Sequence, residues 1–216
     1  MTKKTHSYQN ESIRVSFDGN ICAHAGYCFG ELHDVFDGDN NPPINLAGGK
    51  IDDIIRVVEM CPSSALTYQR LDGSANEVAE ASTSATIVPD GPLALRGNLK
   101  LGDQQYSRLT LCRCGKSAEK PFCDGSHKQT SFDDSLYVEA ESSDGDGGDD
   151  GETENAAVSF KAILNGPIFI NGSVSFKKID GTELCKREKA AICRCGASKT
   201  KPFCDGSHKT IGFEAP

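Results

Sequence analysis

The chain has 216 residues, 37% of them apolar and ten of them cysteine, and a formal charge of -8. That length sustains a buried core in one or two domains. No run approaches the roughly 20 apolar residues of a membrane helix, and the opening MTKKTHSYQNESIRV lacks the apolar centre of an export signal, so a soluble cytoplasmic protein without a membrane partner is expected.

Residues 1–71 open with a strand, IRVSF at 13–17, followed by a loop bearing Cys22 and Cys28 and the strand-like PPINL at 42–46. A helix is predicted for IDDIIRVVEM at 51–60. It is entered through Asp52 and Asp53, and Ile51, Ile54, Ile55 and Val58 mark its apolar face. Cys61-Pro62 and a final strand, ALTYQ at 65–69, complete a small α+β pattern. The polar stretch DGSANEVAEASTSAT begins at Asp72 and reads as a linker over 72–84.

A first module then covers 85–138 and a second 157–216. Between them lies EAESSDGDGGDDGETENA, residues 139–156, with eight acidic residues and no lysine or arginine. It buries too little apolar surface to offset the entropy of ordering, so it reads as a flexible linker. It also accounts for the whole net charge. The remainder carries no basic stripe and hence no footprint for nucleic acid.

The two modules repeat. DGPLALRGNL at 90–99 answers to NGPIFINGSV at 165–174, each an Asx-Gly-Pro turn leading into a strand. The offset is 75 at these strands and 81 at the cysteines beyond them. The second module's extra residues are placed in a hairpin within KKIDGTELCKRE, with Asp180-Gly181 as its turn.

CRCGKSAEKPFCDGSH runs from Cys112 to His127, and CRCGASKTKPFCDGSH from Cys193 to His208. Both fit C-x-C-x2-S-x3-P-x-C-D-G-S-H, and each is followed by Lys-x-x-x-Phe, closing on Phe132 and Phe213. Clustered cysteines without an export signal favour metal chemistry over disulfides. Only Cys185 stands outside motif positions, as a buried or idle thiol. Three soft thiolates and one imidazole suit zinc or an iron-sulfur cluster. A 2Fe-2S cluster wants two ligands on each iron: the C-x-C pair can clasp one, and Cys and His four residues apart, on one helical face, can hold the other. Asp124 and Ser126 can cap amides at the start of that turn. A structural Cys3His zinc site is the alternative.

Over roughly 85–138 and 157–216 the sequence resembles the CDGSH, or NEET, family of 2Fe-2S proteins, with Ser117, Ser198, Pro121 and Pro202 included in the match. The resemblance implies one cluster on Cys112, Cys114, Cys123 and His127 and another on Cys193, Cys195, Cys204 and His208. In the N-terminal part, CAHAGYC and a later Cys-Pro resemble a divergent single-cluster ferredoxin over 11–71, with Ala25 where bacterial ferredoxins place a middle cysteine. That resemblance puts Cys22, Cys28 and Cys61 in ligand positions for a 3Fe-4S or 4Fe-4S cluster, set against a fold that carries none. His24 is a candidate further ligand, with packing or surface hydrogen bonding the preferred reading, and His6 and His33 read as solvated.

The expected fold class is α+β: a small ferredoxin-like domain, then two β-rich CDGSH modules, each with a short helix after the cluster loop, packed within the chain as a pseudo-dimer. No G-x-G-x-x-G, Walker lysine loop or nucleophile elbow occurs, so an electron-transfer protein is expected rather than an enzyme. Its counterpart is an unidentified redox partner or apo-acceptor protein. Cluster storage and transfer, or redox and pH sensing, is the alternative.

Overall fold

A computed structural model describes residues 5–40, 43–134 and 156–216. The acidic segment read as a linker lies outside the described residues except for Ala156. Two compact units divide between Val78 and Ala79.

The first unit is a three-stranded antiparallel sheet in the order β1-β2-β3, with two helices. β1 is Thr5–Gln9, β2 Ile13–Asp18 and β3 Leu66–Arg70. The β1–β2 turn is fixed by Asn10, whose Oδ1 accepts from the amides of Ser12 and Ile13 at 3.0 and 2.9 Å. In β2 the alternation works as expected, with Ile13 and Val15 fully buried. α1 is a short helix, Tyr27–Glu31, and α2 spans Ile51–Met60 as expected, with Asp52 and Asp53 in its first turn. The buried residues of α2 are Ile54, Val57 and Val58, while Ile51 and Ile55 lie at the margin. The apolar face is therefore centred closer to Val57 than the sequence pattern placed it. PPINL does not form a strand. Only Ile44 makes an isolated bridge, to Phe36, and Leu46–Gly48 turn as a 3-10 helix with Asn45 Oδ1 accepting from the Ala47 amide. Pro43 brings no amide to a ladder.

The second unit is one six-stranded sheet holding both repeats. β4 (Thr83–Ile87), β5 (Leu93–Leu101) and β6 (Gln104–Leu111) come from the first repeat, and β7 (Val158–Ala162), β8 (Ile168–Lys177) and β9 (Glu183–Ile192) from the second. β4 begins inside the stretch read as linker. Within each repeat the neighbours are antiparallel: β5 with β4 and β6, and β8 with β7 and β9. Between repeats the first strand of each crosses over. β4 runs parallel to β8 from Thr83↔Val174, and β7 runs parallel to β5 from Leu99↔Val158.

The crossing points fall at Gly97 and Gly172, whose φ values are +134° and +122°. A side chain at Gly97 would place Cβ 2.8 Å from the Thr83 Cα, so only glycine lets β4 come in here. Leu93, Leu95, Leu99, Leu109, Ile168, Val174 and Phe176, all at most 1% exposed, interleave in one core drawn from both repeats. The predicted hairpin joins β8 to β9. Lys178 N donates to Thr182 O at 2.9 Å, Asp180 Oδ1 accepts from the Thr182 amide, and Gly181 takes φ +88°. Cys185 pairs with Phe176 in this ladder and packs at the core margin. Among the described residues no helix is long and apolar enough to cross a membrane.

Candidate metal centres

Each CDGSH motif starts where a strand ends. Beyond β6, Cys112 N donates to Pro121 O and Cys123 N to Thr110 O, both at 2.9 Å, with Leu111 bridging Phe122. This short antiparallel pairing lays the C-x-C segment beside the P-x-C segment. The second motif repeats it: Cys193 N to Pro202 O and Cys204 N to Ala191 O, both 2.8 Å, with Ile192 bridging Phe203.

The loop between is tied by the motif serine. Ser117 donates to Phe122 O and Ser198 to Phe203 O, each at 2.6 Å, and each hydroxyl also accepts an amide, from Glu119 or Thr200. The motif aspartate closes the other side. Asp124 accepts from the amides of Ala118 (2.8 Å) and Ser126 (3.0 Å) and from the Ser126 hydroxyl. Asp205 accepts from the amides of Lys199 and Ser207, both at 2.9 Å. Burial pushes the Asp124 pKa up, but these bonds outweigh it and bring it down to about 2.

Gly125 and Gly206, at φ +86° and +88°, then turn the chain into 3-10 helices at Ser126–Gln129 and Ser207–Lys209. The expected short helices are therefore single 3-10 turns. Cys123 and Cys204 precede them, so thiol and imidazole do not share a helical face; the left-handed glycine brings them together.

The donors stand as couples. Cys112 and Cys114 Sγ are 3.7 Å apart, and Cys123 Sγ lies 3.4 Å from His127 Nδ1. In the second motif Cys193 and Cys195 Sγ are 3.8 Å apart, and Cys204 Sγ is 3.4 Å from His208 Nδ1. Two thiolates bound to one tetrahedral metal at about 2.3 Å sit about 3.8 Å apart, and a thiolate and an imidazole nitrogen at about 2.0 Å sit about 3.5 Å apart. Each couple thus fits one metal. Among the described residues no three His, Cys, Asp or Glu side chains gather round a single ion position.

The thiols of each site are not alike: burial pushes the Cys123 and Cys204 thiols up, while the C-x-C pairs divide. The hydrogen bond from Cys114 lowers the Cys112 pKa against burial, with help from the amides of Ser117 and Gly115, and raises that of Cys114. Cys193 and Cys195 divide in the same way. Burial lowers the His127 pKa, followed by the charge of Lys128. Amides point at sulfur as well: Gly125 N to Cys123 Sγ and Gly206 N to Cys204 Sγ, both 3.4 Å, and Lys116 N to Cys114 Sγ at 3.5 Å.

Sequence reasoning missed the residue inside each C-x-C. Arg113 and Arg194 are only 1% exposed. Arg113 donates to Gly91 O (2.9 Å), Val88 O (2.7 Å) and Asp134 Oδ2 (2.7 Å), and lies over the Phe132 ring. Arg194 donates to Gly166 O (3.0 Å), Ile163 O (2.6 Å) and Pro216 O (2.7 Å), over Phe213. Each arginine clasps the Asx-Gly-Pro turn to the segment after the histidine, which explains the phenylalanine that closes each repeat. The signal was the identity of C-R-C in both copies. Burial depresses the Arg194 pKa, and the opposing charge is Cys112, of the other repeat.

In the first unit Cys22, Cys28, Cys61 and His24 line one cavity of about 190 Å³, together with Ala25 and Phe17. Cys28 sits in α1 and Cys61 ends α2. Burial pushes the Cys28 thiol up, with Cys61 and Cys22 adding to it. His24 takes a left-handed φ of +51°. His33 is exposed, 3.9 Å from Asp37 Oδ2, and His6 is exposed on β1. None of the ten cysteines is in a disulfide.

Residues 90–128 and 165–209 match the family described as iron-binding zinc finger, CDGSH type. Residues 8–71 match the family described as divergent 4Fe-4S mono-cluster. No curated protein and no solved structure matches. The chain thus carries two CDGSH-type regions behind a divergent 4Fe-4S mono-cluster region, which together support an iron-sulfur protein.

Proposed function

We propose that the chain is an electron carrier, not an enzyme, with one 2Fe-2S cluster on Cys112, Cys114, Cys123 and His127 and a second on Cys193, Cys195, Cys204 and His208. The observation that carries this reading is the pairing of donors at 3.7 and 3.4 Å in one motif and 3.8 and 3.4 Å in the other. Two couples supply two ligands to each of two irons, whereas a mononuclear zinc site needs four donors round one point. A 2Fe-2S cluster supplies one-electron chemistry. The chain's part is to hold it. The short pairing between C-x-C and P-x-C fixes three thiols, burial lowers the His127 pKa, and amides aim at sulfur. A neutral ring in place of a fourth thiolate leaves the site less negative and therefore easier to reduce.

The two repeats are read as a pseudo-twofold pair, supported by the reciprocal β4–β8 and β5–β7 exchange. In the N-terminal domain a 3Fe-4S or 4Fe-4S cluster on Cys22, Cys28 and Cys61 is supported by the cavity they share. The test is to mix the dithionite-reduced chain with an oxidised one-electron acceptor, and separately with an apo-ferredoxin. Electrons should pass within seconds while iron stays with the chain. Iron moving to the apo-ferredoxin faster than electrons move to the acceptor would establish cluster delivery instead.

A further inference from the structure

The glycine after each C-x-C pair faces the other repeat. A Cβ built on Gly115 would stand 2.5 Å from Cys195 O, 2.8 Å from its carbonyl carbon and 3.2 Å from its Cα. A Cβ on Gly196 would stand 2.6, 2.9 and 3.3 Å from the same atoms of Cys114. All six are backbone atoms, so no rotamer change relieves the contact. The two loops also meet through Lys201, which is 3% exposed, donates to Ser198 O at 2.8 Å and lies 5.9 Å over the Phe132 ring of the first repeat. The main chain that carries a ligand of one site therefore rests against the loop of the other, with only a hydrogen's width to spare.

We propose that Gly115 and Gly196 are positioning residues in trans, each setting the C-x-C loop of the other repeat, so that the two sites hold their clusters as one unit. This rests on the ligand assignment proposed above. A methyl group at either glycine pushes the opposite loop away by roughly 1 Å to reach ordinary contact distance. A metal site tolerates only about 0.5 Å of such error. The loop that moves carries Cys195 or Cys114, whose sulfurs stand 3.8 and 3.7 Å from their partners. Both glycines also have positive φ, +75° and +83°, so a substitution strains its own loop as well. The effect to isolate is the one on the opposite site.

The experiment uses the full chain with Cys22, Cys28 and Cys61 replaced by serine, so that no N-terminal cluster contributes, in two backgrounds. Cys112→Ser with Cys123→Ser empties the first site, and Cys193→Ser with Cys204→Ser empties the second; both leave Cys114, Cys195 and the glycines in place. Gly115→Ala in the first background should speed loss of the visible absorption of the remaining, second-repeat cluster by about tenfold, the lower end of what a lost supporting contact costs a metal site. Gly196→Ala in the second background should do the same to the first-repeat cluster. Gly115→Asn separates contact from strain, because asparagine tolerates the left-handed backbone yet carries the same Cβ, and it should act in trans as strongly. Gly102→Ala, at φ +62° with nothing near its Cβ, should leave both clusters unchanged. Should the glycine variants not fold, Cys123→Ser alone should still shorten the life of the second-repeat cluster. A loaded parent whose cluster decays at the same rate with and without the glycine change overturns the proposal alone. A parent that binds no iron overturns the ligand assignment and the proposal with it.

Discussion

Arg113→Met is the sharpest test of how the first motif is built. The guanidinium is 1% exposed and donates to Gly91 O, Val88 O and Asp134 Oδ2, whose side chain is 8% exposed. Methionine keeps the length and apolar stem but strands a buried carboxylate and the Gly91 carbonyl, while Val88 O keeps the Gly91 amide at 3.0 Å. Removing one partner of a buried ion pair costs about 3–5 kcal/mol. For a unit of this size that lowers the melting temperature by about 10–15 °C. Adding Asp134→Leu removes the orphaned charge and should recover about half the loss, leaving about 1–2 kcal/mol for the Gly91 carbonyl and the lost bond to Val88 O. Urea denaturation of wild type, both single variants and the double variant, followed by far-UV circular dichroism, gives the complete cycle. A cost below about 1 kcal/mol for Arg113→Met, or a double variant no more stable than that single one, would refute the clasp.

Three further outcomes are expected. Replacing His127 and His208 by cysteine should slow loss of visible absorption in mild acid and make the potential more negative. Ligation needs the neutral ring, for which protons compete as pH falls, and at His127 burial lowers the pKa from the ordinary imidazole value. Asp124 has a folded pKa of about 2, below its unfolded value of about 3.9, so its contribution to stability is complete above about pH 4 and is lost as pH falls through 2. Asp124→Asn should therefore flatten the fall in urea midpoint between pH 5 and 2.5, and an unchanged slope would count against the hydrogen bonds to Ser126 and Ala118. Replacing Cys22, Cys28 and Cys61 together by serine should lower iron per chain while the 2Fe-2S spectrum persists; an unchanged iron count would remove the N-terminal cluster from the account.

The site was legible because its chemistry is local. Spacing singled out the cysteines and histidines that the structure brings together in couples, and the Asp180-Gly181 turn and α2 followed from glycine placement and helical periodicity. What escaped was set by distant contacts. β1, mostly exposed and polar, has no alternation to read and exists because its backbone pairs with β2. α1 contains Gly30 and has no side-chain cap, so no local signal announces it. PPINL offers apolar residues but a proline at 43 where a ladder needs an amide. The crossing of β4 and β7 between repeats depends on Gly97 and Gly172, which look like ordinary strand glycines until the partner strand is in place. Nothing in the sequence places Arg113, Arg194 and Lys201 inside, because burial of a cation is decided by carbonyls contributed from elsewhere in the fold.

Iron and acid-labile sulfide per chain, measured with the visible spectrum on the variant lacking Cys22, Cys28 and Cys61, tests the central claim most directly. Two 2Fe-2S clusters require about four irons and four sulfides and a reddish protein with charge-transfer bands. A colourless protein with about two zinc ions and no sulfide would contradict it.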